Sequence, residues 1–130
     1  MNKEKKKFKG GHEKMALWES IEKLNDIIRD VLSCIPETSF KERSQIINAC
    51  DSISSNFVEG YYAGYINEYI RFLTYGRRSA AELCDRVKRV YERKEIGANL
   101  FEKFEERCYK TMFLIDRTMK GLRAFQNNKP

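Results

Sequence analysis

The sequence predicts an all-α protein, an antiparallel up-down-up-down four-helix bundle, and three observations carry that prediction. Apolar residues recur at alternating three- and four-residue steps in four separate stretches, the seam spacing of packed helices. Only two prolines and seven glycines interrupt 130 residues. No long run shows the alternation of apolar and polar residues that a half-buried strand requires. A chain of this length buries roughly two thirds of its extended-chain surface, enough for one core without staples. The expected layout is a flexible lysine-rich arm over residues 1–13, a bundle over 14–126 and a disordered tail over 127–130.

The arm holds Lys3, Lys5, Lys6, Lys7 and Lys9 ahead of the Gly10-Gly11 pair, a composition that solubilises a chain or anchors it electrostatically to phosphates or an acidic partner. The first helix, about 14 to 34, places Leu17, Ile21, Leu24, Ile28 and Val31 along one seam, and Pro36 stops it. The second opens where Ser39 precedes Glu42 by three residues, a capping-box spacing. Its seam is Ile46, Cys50, Ile53 and Phe57, with Gly60 as a C-terminal stop. The third, about 65 to 96, carries Tyr69, Phe72, Leu73, Gly76, Ala80, Leu83, Val87 and Val90 on one side. Gly76 in mid-helix implies close approach of a neighbour, because it otherwise costs ~1 kcal/mol against alanine. Gly97 ends this helix, Asn99 with Glu102 caps the next, and the fourth, about 100 to 125, packs through Phe101, Phe104, Cys108, Met112, Ile115, Met119 and Leu122.

Net charge is +6, unevenly spread: residues 1–14 carry +4, 15–70 carry −5, 71–94 carry +5 and the remainder +2. The four cysteines, Cys34, Cys50, Cys84 and Cys108, fall in four separate helices with no CxxC pair. They read as reduced, packed thiols rather than a metal site or a disulfide framework. No uninterrupted apolar run approaches the ~18 residues of a membrane span, and the lysine-rich start lacks a signal peptide's apolar stretch. A soluble, cytoplasmic protein without membrane contact is the expectation.

Two basic sets stand out. At 100° per residue, Arg71, Arg78, Arg86, Arg89 and Arg93 fall within one ~80° sector of the third helix, beside its apolar seam. A row of guanidiniums suits phosphate oxygens, which arginine grips in a planar fork. The same row admits another use, because Glu82 precedes Arg86 and Asp85 precedes Arg89 by four residues, the intrahelical ion-pair spacing, and an acidic protein partner is a third. Lys103, Arg107, Lys110 and Arg117 occupy a comparable sector of the fourth helix, with Lys120 at its edge. If the two helices pair, the sets could join into one basic surface.

Seven of the sixteen aromatic residues crowd between positions 57 and 75. Tyr61, Tyr62 and Tyr65 lie at the turn, where they could stack on unpaired bases or fill a protomer contact. Asn48, Ser52, Ser55 and Glu59 form a narrow polar stripe opposite the second helix's seam, facing either water or another subunit. Ser52, Ser55, Asn56, Glu59, Tyr61, Tyr62 and Tyr65 are the residues expected at an oligomer interface. Catalysis and cofactors are not expected. The only histidine, His12, lies in the arm, and neither a glycine-rich phosphate loop nor a Glu-x-x-His metal pattern occurs.

The segment Ser52-Ile53-Ser54-Ser55-Asn56-Phe57-Val58-Glu59-Gly60, followed by Glu68-Tyr69-Ile70-Arg71-Phe72-Leu73 and Ser79-Ala80-Ala81-Glu82-Leu83, resembles a small four-helix-bundle family. That family includes proteins encoded in intervening sequences of bacterial large-subunit ribosomal RNA genes and the accessory variability determinants of diversity-generating retroelements. Its pattern there is Ser-Ile-Pro-Ser-Asn-Ile-Ala-Glu-Gly, so Ser54 stands in place of proline. Ala63 and Tyr65 replace a common arginine and serine, and Arg78 a glycine. The resemblance implies a cytoplasmic homopentamer with five bundles in a short barrel. In the retroelement branch it implies binding to a reverse transcriptase and to RNA or DNA through basic surface, in support of complementary-DNA synthesis and without catalysis. The intervening-sequence branch has no established activity. The resulting expectation is a non-catalytic adaptor on nucleic-acid backbone; its rival is a protein-interaction scaffold with no direct nucleic-acid contact.

Overall fold

The computed structural model describes residues 11–128. Within them a 3-10 turn, Gly11–Lys14, leads into four α-helices: α1 Ala16–Cys34, α2 Phe40–Tyr61, α3 Ile66–Glu92 and α4 Ala98–Asn127. The described residues contain no strand. The described residues form an all-helical fold, as their periodicity requires. The lysines of the arm and residues 129–130 lie outside the described residues.

The main packing pairs are α1 with α2, α2 with α3, α3 with α4, and α4 with α1. Buried side chains follow the expected seams: Leu17, Ile21, Leu24, Ile28 and Val31 of α1; Ile46, Cys50, Ile53 and Phe57 of α2; Leu73, Ala80, Leu83, Val87 and Val90 of α3; Phe104, Cys108, Ile115 and Met119 of α4. Tyr69, Phe72, Phe101, Met112 and Leu122 are only half-buried at its margin. Two polar residues sit in this core, Ser20 and Thr111, whose hydroxyls hydrogen-bond each other at 2.8 Å across α1 and α4. Thr111 also donates to the Arg107 carbonyl, so neither hydroxyl is buried without a partner.

The helix ends depart from the expected caps. Ser39, the N-cap of α2, makes no side-chain cap bond; Gly97, the N-cap of α4, has no side chain to make one, and Asn99 already lies inside α4. The Glu42 carboxylate instead receives a hydrogen bond from Arg93 at 2.9 Å. The last carbonyls of α1 are met from elsewhere, because Arg43 donates to Leu32 O at 2.6 Å and Ile35 O at 3.2 Å. α3 stops at Glu92, where Lys94 takes a left-handed backbone (φ 63°) ahead of Gly97.

Gly60 is not a helix stop. It lies buried within the last turn of α2, and a Cβ placed there would come 2.9 Å from Phe72 Cβ and 3.3 Å from the Tyr69 carbonyl. α2 and α3 approach too closely here for any side chain. Gly76 is different, since a Cβ would meet Asn56 Cβ at 3.7 Å and Ile53 O at 3.8 Å, which is ordinary contact. The left-handed residue of the α2–α3 turn is Gly64, at φ 86°. Gly60→Ala should therefore lower stability by ~1–3 kcal/mol through overpacking. Gly76→Ala should raise it by up to ~1 kcal/mol through helix propensity, and chemical denaturation of both variants checks the pair.

Burial pushes the Cys50 thiol up from 9.0 to about 12, with Asp51 adding to the effect, and burial beside Tyr61 pushes the Tyr69 phenol up from 10.0 to about 12. The unfolded chain releases these protons near pH 9 to 10 while the folded chain holds them to about 12. Both contributions are complete below pH ~9 and are lost as pH rises towards ~12. The thermal midpoint followed by circular dichroism should fall between about pH 9 and 11, less steeply in Cys50→Ala.

Candidate nucleic-acid interface

α2 and α3 meet along a row of small polar residues. Ser52 and Ser79 share a hydroxyl hydrogen bond at 2.7 Å, and Asn56 Nδ2 donates to Ser52 O at 2.8 Å and Ser52 Oγ at 3.0 Å. At spacings of four, Ser52, Asn56 and Gly60 present one edge of α2 to α3. Ser52 and Asn56, expected at a subunit contact, bind within the subunit. Ser54, where the resembled pattern has proline, accepts from Asn25 of α1 at 3.5 Å, and Cys50 donates to the same asparagine at 2.9 Å. Asn48, Ser55 and Glu59 remain exposed.

Of the arginine row, Arg86 and Arg93 reach α2, and four of the five meet carboxylates. Arg86, with a side chain 22% exposed, lies between Glu82 at 3.0 Å, Gln45 at 2.6 Å and Glu42 at 3.8 Å. Arg93 joins Glu42 to Glu95, at 2.9 and 3.1 Å. Glu42 is thus held by two cations at the mouth of α2 and α3. Its Oε2 is buried without a hydrogen bond, leaving Arg86 at 3.8 Å to compensate its charge. Arg89 pairs with Asp85 at 3.0 Å and Arg71 with Glu68 at 2.7 Å, both at exposed positions. Among the five, Arg78 alone shows no ion pair with a described residue. Its guanidinium lies 5.9 Å from the centre of the Tyr75 ring, which Arg71 approaches at the same distance.

The basic set of α4 faces the opposite way. Arg107 turns towards α1, donating to Ser20 Oγ at 3.4 Å. A groove of about 480 Å³ between α1 and α4 is lined by Lys23, Asp26, Glu102, Lys103, Glu106 and Arg107. A second, of about 360 Å³, shares Lys23 and Arg107 and continues past Lys110, Phe113 and Arg117. No ion pair with a described residue engages Lys103, Lys110 or Arg117. The two basic sets are drawn apart rather than joined: Arg86 and Arg93 turn to α2, and Arg107 turns to α1. Between them stands Arg77, absent from the expected site, which binds Asp116 of α4 at 2.6 Å. That bond raises Arg77 above the usual guanidinium range. Its partner is 39 residues distant, so no local spacing marks the pair.

At the turn end, Tyr61 is half-buried against Phe57 and Tyr69, whereas Tyr62 and Tyr65 are exposed. His12, expected in a free arm, is fixed to this end: its ring Nδ1 lies 2.9 Å from the Tyr62 hydroxyl, and the ring packs edge-on to Trp18 with centroids 4.7 Å apart. All four cysteines are free thiols. Cys108 Sγ donates to the Ala80 carbonyl at 3.5 Å across α3 and α4; the two thiols also act on each other, which holds Cys84 below the usual thiol range and, with burial, pushes Cys108 far above it. Among the described residues, no three His, Cys, Asp or Glu side chains gather to hold a metal ion, and no helix is long and apolar enough to cross a membrane.

Four packed helices, with an α2–α3 seam whose arginines meet carboxylates and open grooves between α1 and α4, define a small helical-bundle protein. A family model, the 23S rRNA-intervening sequence protein, matches residues 13–117. The chain belongs to that family. No match is found among curated proteins or among solved structures.

Arg86→Met should destabilise the fold by ~1–3 kcal/mol, because it leaves the largely buried Glu42 carboxylate short of a cation, the exposed Glu82 mattering little. Arg89→Ala, at an exposed intrahelical pair, should cost at most ~0.5 kcal/mol. Urea midpoints at neutral pH separate the two.

Proposed function

We propose that the protein is a non-catalytic, oligomeric adaptor that holds RNA or DNA backbone along its α1/α4 side. The observation that carries this reading is the run Lys103, Arg107, Lys110 and Arg117, which borders an open groove and has no carboxylate within ion-pairing distance among the described residues. Phosphate oxygens can reach these cations without first displacing a carboxylate, and only Arg107 would give up an internal contact, its long bond to Ser20 Oγ at 3.4 Å. Arg78 and the lysine arm would add to the attraction. Arg71 and Arg89 contribute by exchanging weak exposed pairs for phosphate, while Arg86 and Arg93 act chiefly on the fold.

The bundle itself is proposed as antiparallel, up-down-up-down. Supporting this order, Glu42 near the start of α2 meets Arg93 just past the end of α3, and Gln126 at the end of α4 meets Asn67 at the start of α3. The oligomer is proposed as a cytoplasmic homopentamer on family resemblance, with exposed Ser55, Glu59, Tyr62 and Tyr65 at the contact. Native mass spectrometry reads its copy number.

A second reading has its own observation. The α3 face, where arginines alternate with their carboxylate partners, presents mixed charge suited to a protein surface. It would dock a partner such as the reverse transcriptase of a diversity-generating retroelement.

With four phosphates neutralised, log K should fall against log salt with a slope of about −3. The double charge reversal Lys110→Glu/Arg117→Glu should weaken RNA and DNA binding at least ~10-fold at low salt, and more than Arg89→Glu does. Fluorescence anisotropy of the full chain against labelled oligonucleotides tests this, and unchanged affinity in the double variant overturns it. Co-purification of a protein partner that survives nuclease, without such binding, is the outcome expected of the second reading.

A further inference from the structure

We propose that the nucleic acid held by this protein is single-stranded, with unpaired bases stacked on Tyr109 and Phe113 along the outer face of α4. The inference rests on the backbone-binding reading and deepens it by naming the substrate class.

Tyr109 is 55% and Phe113 59% exposed, although aromatic rings of this size are ordinarily drawn into a core or a contact. At 100° per residue, Tyr109, Phe113, Lys120, Arg117 and Lys110 fall within a ~100° sector of α4, and the buried Phe104, Cys108, Ile115 and Met119 occupy the opposite side. Rings and cations alternate along one face. From 107 to 123 the helix carries five basic residues and a single acid, Asp116. That acid is turned aside to Arg77 at 2.6 Å, so its charge is compensated before any ligand arrives. Glu105 stands beside Tyr109 and holds its phenol above the usual range. A phenol is neutral near pH 7 with or without this shift, as stacking next to phosphates requires.

The spacing selects the ligand. Two residues four apart on a helix are ~6 Å apart along its axis, whereas bases in a duplex repeat every ~3.4 Å and hide their faces from side chains. Of a duplex and a single strand, it is the strand with parted, free bases that can cover both rings. Base-on-aromatic stacking contributes ~1–3 kcal/mol per base and tolerates any sequence, while Lys110, Arg117 and Lys120 receive the intervening phosphates. A duplex would touch the cations and leave the rings uncovered.

The test uses the full-length protein, a labelled 20-nucleotide single-stranded RNA and the blunt duplex of the same sequence, read by anisotropy at one salt concentration. The single strand is expected to bind tighter, and Tyr109→Ala/Phe113→Ala to weaken it at least ~10-fold with little change for the duplex. Restoring flat rings in Tyr109→Phe/Phe113→Trp should recover the affinity. Equal binding of both forms, unaffected by the alanine pair, overturns this inference and leaves backbone binding standing. Affinity insensitive to Lys110→Glu/Arg117→Glu removes the underlying reading. If native mass spectrometry finds that the alanine pair breaks the oligomer, the rings belong to a protomer contact and the single-strand proposal fails.

Discussion

The close approach of α2 to α3 is the constraint on which the rest of the molecule depends. Gly60 leaves no room for a methyl group against Phe72, and the hydroxyls of Ser52 and Ser79, joined at 2.7 Å, hold the seam shut in mid-helix. Small residues permit this approach, and hydrogen bonds keep it from leaving buried polar groups unmatched. With the seam set at one end by a glycine, the other is set by charge: Glu42 reaches both Arg86 and Arg93. A loose α2–α3 pair would separate Glu42 from these cations, and the buried carboxylate would then lack compensation.

This arrangement decides where positive charge is available. The stretch 71–94 is the most basic part of the bundle at +5, yet its arginines meet Glu42, Glu68, Glu82, Asp85 and Glu95 within the subunit. Charge bound in partly buried pairs is costly to withdraw, and charge in exposed pairs exchanges readily. The fourth helix leaves Lys103, Lys110 and Arg117 without a carboxylate partner among the described residues, beside a groove. Arg77 contributes by holding Asp116 on the α3 side, away from Arg107 and Lys110. The functional face is thus defined by which carboxylates are already occupied, more than by where arginine is most frequent.

Much of the fold was legible in the chain. The seams from Leu17 to Val31 and from Ile46 to Phe57 repeat at helical spacing, and they are buried as that spacing requires. The caps were less legible. Ser39 and Glu42 have capping-box spacing, but a carboxylate near two arginines is drawn to them more strongly than to one backbone amide. The polar motif on α2 was legible as a contact surface but not as to its partner: Ser52 and Asn56 turn to α3 of the same chain, while Ser55, Tyr62 and Tyr65 stay exposed. Tyr109 and Phe113 drew no notice, because a pair of aromatics four apart in a helix reads equally well as core.

The sequence by itself determined the class of the protein, four helices and their apolar faces, because periodicity is a local property that survives without knowledge of neighbours. It also determined the family, through the run from Ser52 to Leu83. The tertiary structure alone decided which cations are free, which serines are engaged and that Gly60 marks a crossing. Each of these depends on pairs far apart in the chain, such as Arg77 with Asp116 or Ser20 with Thr111. No local spacing encodes such distances; they exist only once the helices have packed.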